Sequence, residues 1–192
     1  MTSPKNRQQQ KSDMDIEKHR EEGNWRRCLE LAQQNGSEHV HLQNFLTGEA
    51  KLELFMEEIS KKCLNNIKER DDIDKSVLDE AKMYLKRCLE GQADSPLTMD
   101  ANLLLAKAYY ISGDFHDALN YIRQSGIDTI VNIDKSLPLR VIKLIAESFS
   151  VKGMSLAKTS PRRKLKYIDH SFDLIDGYAN NGTATNATAA TT

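Results

Sequence analysis

NLLLAKAYYISGDFHDALNYIRQS, residues 102–125, decides the fold. Leu103, Leu104, Leu105, Ala106, Ala108, Tyr109 and Tyr110 crowd one segment, and Phe115, Ala118, Leu119 and Ile122 recur at three-and-four spacing in the next. Apolar side chains at that spacing fall on one side of an α-helix. Between the two segments stand Gly113, which permits a tight turn, and Asp114, a residue type that caps helix N-termini. The stretch predicts a helical hairpin over residues 97–124. Working outward, Gly23-Asn24-Trp25-x-x-Cys28-Leu29-x-x-Ala32 has the layout of Gly113-Asp114-Phe115-x-x-Ala118-Leu119-x-x-Ile122. Each reads as turn glycine, capping residue, aromatic wedge between paired helices, small residue at the close approach, leucine and a further apolar residue. Such internal similarity is how stacked helical repeats show themselves.

The remaining segments agree. Val77, Leu78, Ala81, Tyr84, Leu85, Cys88 and Leu89 line one face of a helix over 76–90, with Gly91 placed to end it. Leu42, Phe45, Leu52, Met56 and Ile59 predict a helix over 39–59, and the charged stretch 61–74 reads as a connector, with a helical extension into it left open. A helix over 137–158 is apolar nearly all round and needs cover on more than one side. Ser160-Pro161 opens a last helix with a stripe of Leu165, Ile168, Phe172 and Ile175. Residues 1–12 and the low-complexity 179–192 carry too few large apolar groups to offset their ordering entropy and are expected to be disordered tails around a helical domain of residues 13–178.

With 27 basic and 28 acidic side chains among 192 residues, no overall charge draws the chain to nucleic acid or a membrane. Its N-terminus has no apolar stretch of the secretory kind, no apolar run approaches the ~20 residues of a membrane span, and the chain reads as cytoplasmic. The three cysteines (Cys28, Cys63 and Cys88) form no CxxC, which argues against a disulfide framework or zinc site. Cys28 and Cys88 read as core, and Cys63 follows two lysines. Among the five histidines, His39 and His41 point to different helix faces and read as surface residues. Asp71, Asp72 and Asp74 lack the glycine and terminal glutamate of a calcium loop and suit the start of the 76–90 helix. No phosphate loop, nucleophile elbow or metal-ligand pair stands out, so neither enzyme nor cofactor is expected.

One local charge feature remains. Lys158, Arg162, Arg163, Lys164 and Lys166 lie in KTSPRRKLKY (158–167) without an acid among them. Cations in a helix's first turn oppose its dipole at roughly 0.3–1 kcal/mol each. Two readings stand: a patch for an acidic partner or anionic lipid, or a solvated helix end offset by pairs such as Lys166–Asp169. Ser160, in Ser-Pro-Arg-Arg, is a candidate phosphorylation site whose phosphate would neutralise the patch.

Residues 102–125 follow the tetratricopeptide pattern: Leu105-Ala106, Tyr109, Gly113, Phe115, Ala118, Ile122 and Ser125 hold its positions, with Asn102 where tryptophan is commonest. A degenerate second unit runs from Ile145-Ala146 through Phe149 to Gly153, so the fold is an all-α, irregular tetratricopeptide-like helical-hairpin array, an α-solenoid. More specifically, residues 98–128 and 139–158, preceded by EKHREEGNWRRCLELAQQ (17–34) and LTGEAKLELFMEE (46–58), resemble the N-terminal region of the tetratricopeptide repeat protein 7 family. That resemblance implies a scaffold subunit of the complex carrying phosphatidylinositol 4-kinase type III alpha to the plasma membrane. It also implies a hyccin-type partner, a lipid-anchored membrane protein and indirect membrane association. Members of that family are longer arrays, and the resemblance leaves open the kinase contacts of later repeats. The competing function is a co-chaperone-type adaptor clamping acidic peptide termini, for which Asn102 and Lys107 alone do not make a basic groove.

Overall fold

A computed structural model describes residues 14–34, 40–65 (63–65 by backbone alone), 74–90, 95, 97–129 and 137–159. Among these, residues 14–21 form helix α1, followed by α2 (Trp25–Gln34), α3 (Val40–Asn65), α4 (Ser76–Leu89), α5 (Leu97–Ser112), α6 (Phe115–Ser125), a 3-10 turn (Ile127–Thr129) and α7 (Leu139–Thr159). No strand occurs among the described residues. From α2 onward each helix packs on the next, and α3, α5 and α7 also touch in succession. The predicted all-α hairpin array is therefore what the chain forms.

The helix that holds the array together is α5. Ala101, Leu103, Leu104, Leu105, Ala106 and Ala108 are all buried, because α3, α4, α6 and α7 surround it. Each fully buried leucine contributes about 1.5–3 kcal/mol relative to exposure. Asn102, in the usual tryptophan position, is buried too and donates its Nδ2 hydrogen to the Thr98 carbonyl at 2.9 Å.

Both sequence-predicted turns form, with the same backbone wiring. Gly23 N donates to Arg20 O, Asn24 N to His19 O and Cys28 N to Asn24 O. Gly113 N donates to Tyr110 O, Asp114 N to Tyr109 O and Ala118 N to Asp114 O. These bonds satisfy the last carbonyls of one helix and start the next. They require a left-handed residue, and φ is +71° at Gly23 and +87° at Gly113. Cys28 and Ala118 are buried at the close approach as expected. Phe115 is half-buried and tilts against Tyr110 at 5.7 Å between ring centres, bridging the two helices from their edge. Asp114 departs from expectation, for its side chain makes no capping hydrogen bond and only its carbonyl serves the helix.

Three further expectations can be set against the helices. The helix predicted over 39–59 extends to Asn65, the extension into the charged stretch that its sequence left open, with Lys61 and Lys62 paired to Glu57 and Glu58 one turn earlier. His41 is half-buried, not a plain surface residue, and its Nδ1 lies 3.2 Å from the Cys88 carbonyl at the end of α4. Gly153, in the register of the degenerate second unit, is buried within α7, which runs through it to Thr159 as the predicted 137–158 helix requires. Asp74 behaves as expected, its Oδ1 accepting the Ser76 backbone N–H at 2.9 Å. Gly91, His39, His170, Asp71, Asp72, the Cys63 side chain and both tails lie outside the described residues.

One contact was not foreseeable from repeat stacking. Glu17 of α1 reaches Arg140 of α7 at 3.6 Å, while Arg20 of α1 reaches Glu49 of α3 at 2.7 Å. The first helix therefore lies across the α3–α5–α7 side of the array.

Candidate functional site

On that inner side a cleft of about 470 Å³ opens between the C-terminal end of α1, the middle of α3 and α5, and the first half of α7. Its apolar wall is Trp25, Leu104, Leu139 and Leu144. Leu139 is among the few large apolar side chains left exposed. Apart from Gly23 the rest of its lining is charged, and most of those charges are already held in ion pairs.

Two ion clusters stand one helical turn apart on α3. In the first, Arg20 binds Glu49 through Nε at 2.7 Å and Nη2 at 3.1 Å, a bidentate pair, and its Nη1 binds Glu17 at 2.6 Å. Arg140 adds contacts to Glu49 at 3.3 Å and to Asp100 at 3.4 Å. The Arg20 and Glu49 side chains are 6% and 4% exposed, so this pair is held away from water. Burial works against the Arg20 charge, but Glu49 and Glu17 outweigh it and raise its pKa. Burial pushes the Asp100 carboxyl up, with Arg140 opposing. In the second cluster Lys107 bridges Glu53 at 2.8 Å and Glu147 at 3.1 Å. Burial again opposes the Lys107 charge, and the two carboxylates override it and raise its pKa. Glu53, buried and sharing that single cation with Glu147, is pushed up.

This arrangement braces four helices and presents fixed charge; it assembles no nucleophile. Burial lifts both described thiols, Cys28 and Cys88, to about 11, so they stay protonated and unreactive at neutral pH. The described residues hold no cluster of three or more potential metal ligands, and none of their helices is long and apolar enough to cross a membrane. Of the basic patch foreseen in sequence, Lys158 is exposed in the last turn of α7. Arg162, Arg163, Lys164, Lys166 and Ser160 lie outside the described residues. Nothing in the periodicity signalled Glu49, Asp100 or Arg140, since their partners are 40 and 91 positions apart.

The helical hairpins and the upstream segments in this order can now be compared with known proteins. Residues 1–184 match the tetratricopeptide repeat protein 7 N-terminal family. The chain belongs to that family. It is 29% identical to mouse tetratricopeptide repeat protein 7B over 174 residues, 88% of this chain and 20% of the relative. The human 7B protein gives the same values. Human tetratricopeptide repeat protein 7A is 30% identical over 169 residues, covering 77% of this chain and 20% of the relative. This tetratricopeptide repeat protein 7 family chain thus spans about a fifth of the length of the curated relatives it matches. Its brace of buried ion pairs lies within the residues that match the family's N-terminal region.

Proposed function

We propose that the chain is a non-catalytic adaptor that helps recruit phosphatidylinositol 4-kinase type III alpha to the plasma membrane. In this reading it works with a hyccin-type partner and a lipid-anchored membrane protein, and stays peripheral to the membrane through them. The observation that carries the reading is the family match over residues 1–184. The fold supports it, because stacked hairpins offer extended surface for partners. The rival, a clamp for acidic peptide termini, needs uncommitted cations on the inner face. Lys107 is taken by Glu53 and Glu147, and Arg140 by Glu49 and Asp100, which weighs against that rival.

Affinity capture of the tagged chain from cytosol, read by mass spectrometry, tests the proposal. Recovery of the lipid kinase, a hyccin-type protein or the membrane anchor supports it; recovery of chaperones alone, or of nothing, contradicts it. Repeating the capture with Arg162, Arg163 and Lys164 changed to Glu tests the second proposal, that Lys158, Arg162, Arg163, Lys164 and Lys166 form the contact patch. Loss of partners assigns the patch, and full retention assigns it to solvent. Phosphopeptide mapping that finds Ser160 unmodified in cells removes it as a switch.

A further inference from the structure

We infer that the inner cleft docks a basic partner segment, one presenting two lysines or arginines about 6 Å apart beside an apolar side chain. This deepens the scaffold reading and rests on it, naming the chemistry of one partner contact.

The charge arithmetic of the cleft is the first argument. Arg20 and Arg140 serve the three carboxylates of Glu17, Glu49 and Asp100. Lys107 serves the two of Glu53 and Glu147. Each cluster is one positive charge short. Glu49 and Glu53 lie four residues apart on α3, which puts the two deficits about one helical turn apart. Glu21 adds to the surplus from the C-terminal end of α1, where the helix dipole is already negative, while its neighbour Glu22 is paired with Lys18 at 3.8 Å. Against them stands Lys143, which lines the cleft and has no ion-pair partner among the described residues. With the paired Glu17, Asp100, Lys18 and Lys107 counted beside the five carboxylates and three cations of the lining, seven carboxylates face five cations, so the balance stays negative with Lys143 included.

The apolar wall is the second argument. Trp25 is half-buried and Leu139 is 53% exposed, so an aromatic and a leucine stand ready beside the acidic residues. A segment with cations alone would leave them wet, and an apolar segment alone would leave the charge deficit. A segment with both fits. An acidic peptide is repelled here, the opposite of a carboxylate clamp.

The test uses the full chain and a fluorescein-labelled, alanine-based helical peptide with two lysines four residues apart and one leucine. The matched control carries glutamates in place of the lysines. Fluorescence anisotropy is expected to show saturable binding of the lysine peptide, weakened by salt, and at least about tenfold weaker binding of the glutamate peptide. Glu21→Lys with Glu147→Lys is expected to weaken the lysine peptide by about tenfold or more. Glu21→Lys alone is expected to act in the same direction, and circular dichroism checks that each variant stays helical. No binding of the lysine peptide, equal binding of both peptides, or a folded double variant that binds as the parent does would overturn the inference. Capture of the kinase assembly by a chain that ignores the peptide would sink this inference and leave the scaffold reading standing. Peptide binding by a chain that captures nothing would do the reverse.

Discussion

The turns at Gly23 and Gly113 are built alike and placed differently. Both use a left-handed glycine, the same three backbone hydrogen bonds, a half-buried aromatic two residues on and a buried small residue three beyond that. At Gly113 the aromatic leans on its own hairpin, Phe115 against Tyr110. At Gly23 the preceding residues are Glu21 and Glu22, and Trp25 helps wall the cleft shared with α7. Local sequence therefore sets the turn, while the long-range pairs of Glu17 and Arg20 set what the turn faces. A repeat motif specifies a hairpin and leaves its role to its neighbours.

The most severe way to break this comparison is at Glu49. Glu49→Ala removes the bidentate partner of buried Arg20, leaving it Glu17 alone, and takes one carboxylate from Arg140, and should cost about 3 kcal/mol in urea unfolding. Replacing Arg20 and Glu49 together by Met and Leu should cost far less, because no buried charge is left alone. A double variant as damaged as Glu49→Ala would show that the ion pair is not what places α1.

Gly23→Ala and Gly113→Ala should each cost about 1–2 kcal/mol, the penalty of a left-handed Cβ. A Cβ at Gly113 meets nothing within 4 Å, and at Gly23 only Trp25 Nε1 at 3.9 Å, so sterics add little at either. Clearly unequal losses would show that the shared wiring hides different backbone strain.

A smaller effect separates the two regions by pH. Burial raises Glu53 above its usual 4.5, so its ionised form weakens the fold at neutral pH. The folded chain takes up that proton before the unfolded chain does, and stability from this group rises as pH falls through the folded pKa. Glu53→Gln should therefore melt higher than the parent at pH ~7, with the gap closing toward pH ~4.5. A gap that widens on acidification reverses the sign of the argument. The smallest effect belongs to Asp114→Ala. Without a capping bond to lose, it should cost well under the ~0.5–2 kcal/mol of a working N-cap.

How legible the molecule was follows the same division. Helices α4, α5 and α6 and both glycine turns are written in three-and-four spacing, since each depends on residues within a few positions of one another. The close packing of α3 on α4 was present in sequence only as an unremarked Gly48. A Cβ there would meet Leu85 Cγ at 2.7 Å, a fact that only the facing helix supplies. Gly153 stands in repeat register, yet the apolar pattern of 137–158 already required the helix to run through it, as α7 does. Charge counting along the chain pointed to the run at 158–167, while the structure places a second charged surface on the inner face. That surface draws on four helices, and the pairing of Glu49 with Arg140 spans 91 positions, beyond any local pattern.

The central claim is that the inner cleft, and not the repeat turn as such, is the recognition surface. Hydrogen exchange of the full chain with and without the lysine-bearing peptide tests it most directly. Slowed exchange is predicted at residues 21–25 and 139–147, with residues 113–117 unchanged. Protection at both turns alike, or at 113–117 alone, would contradict it.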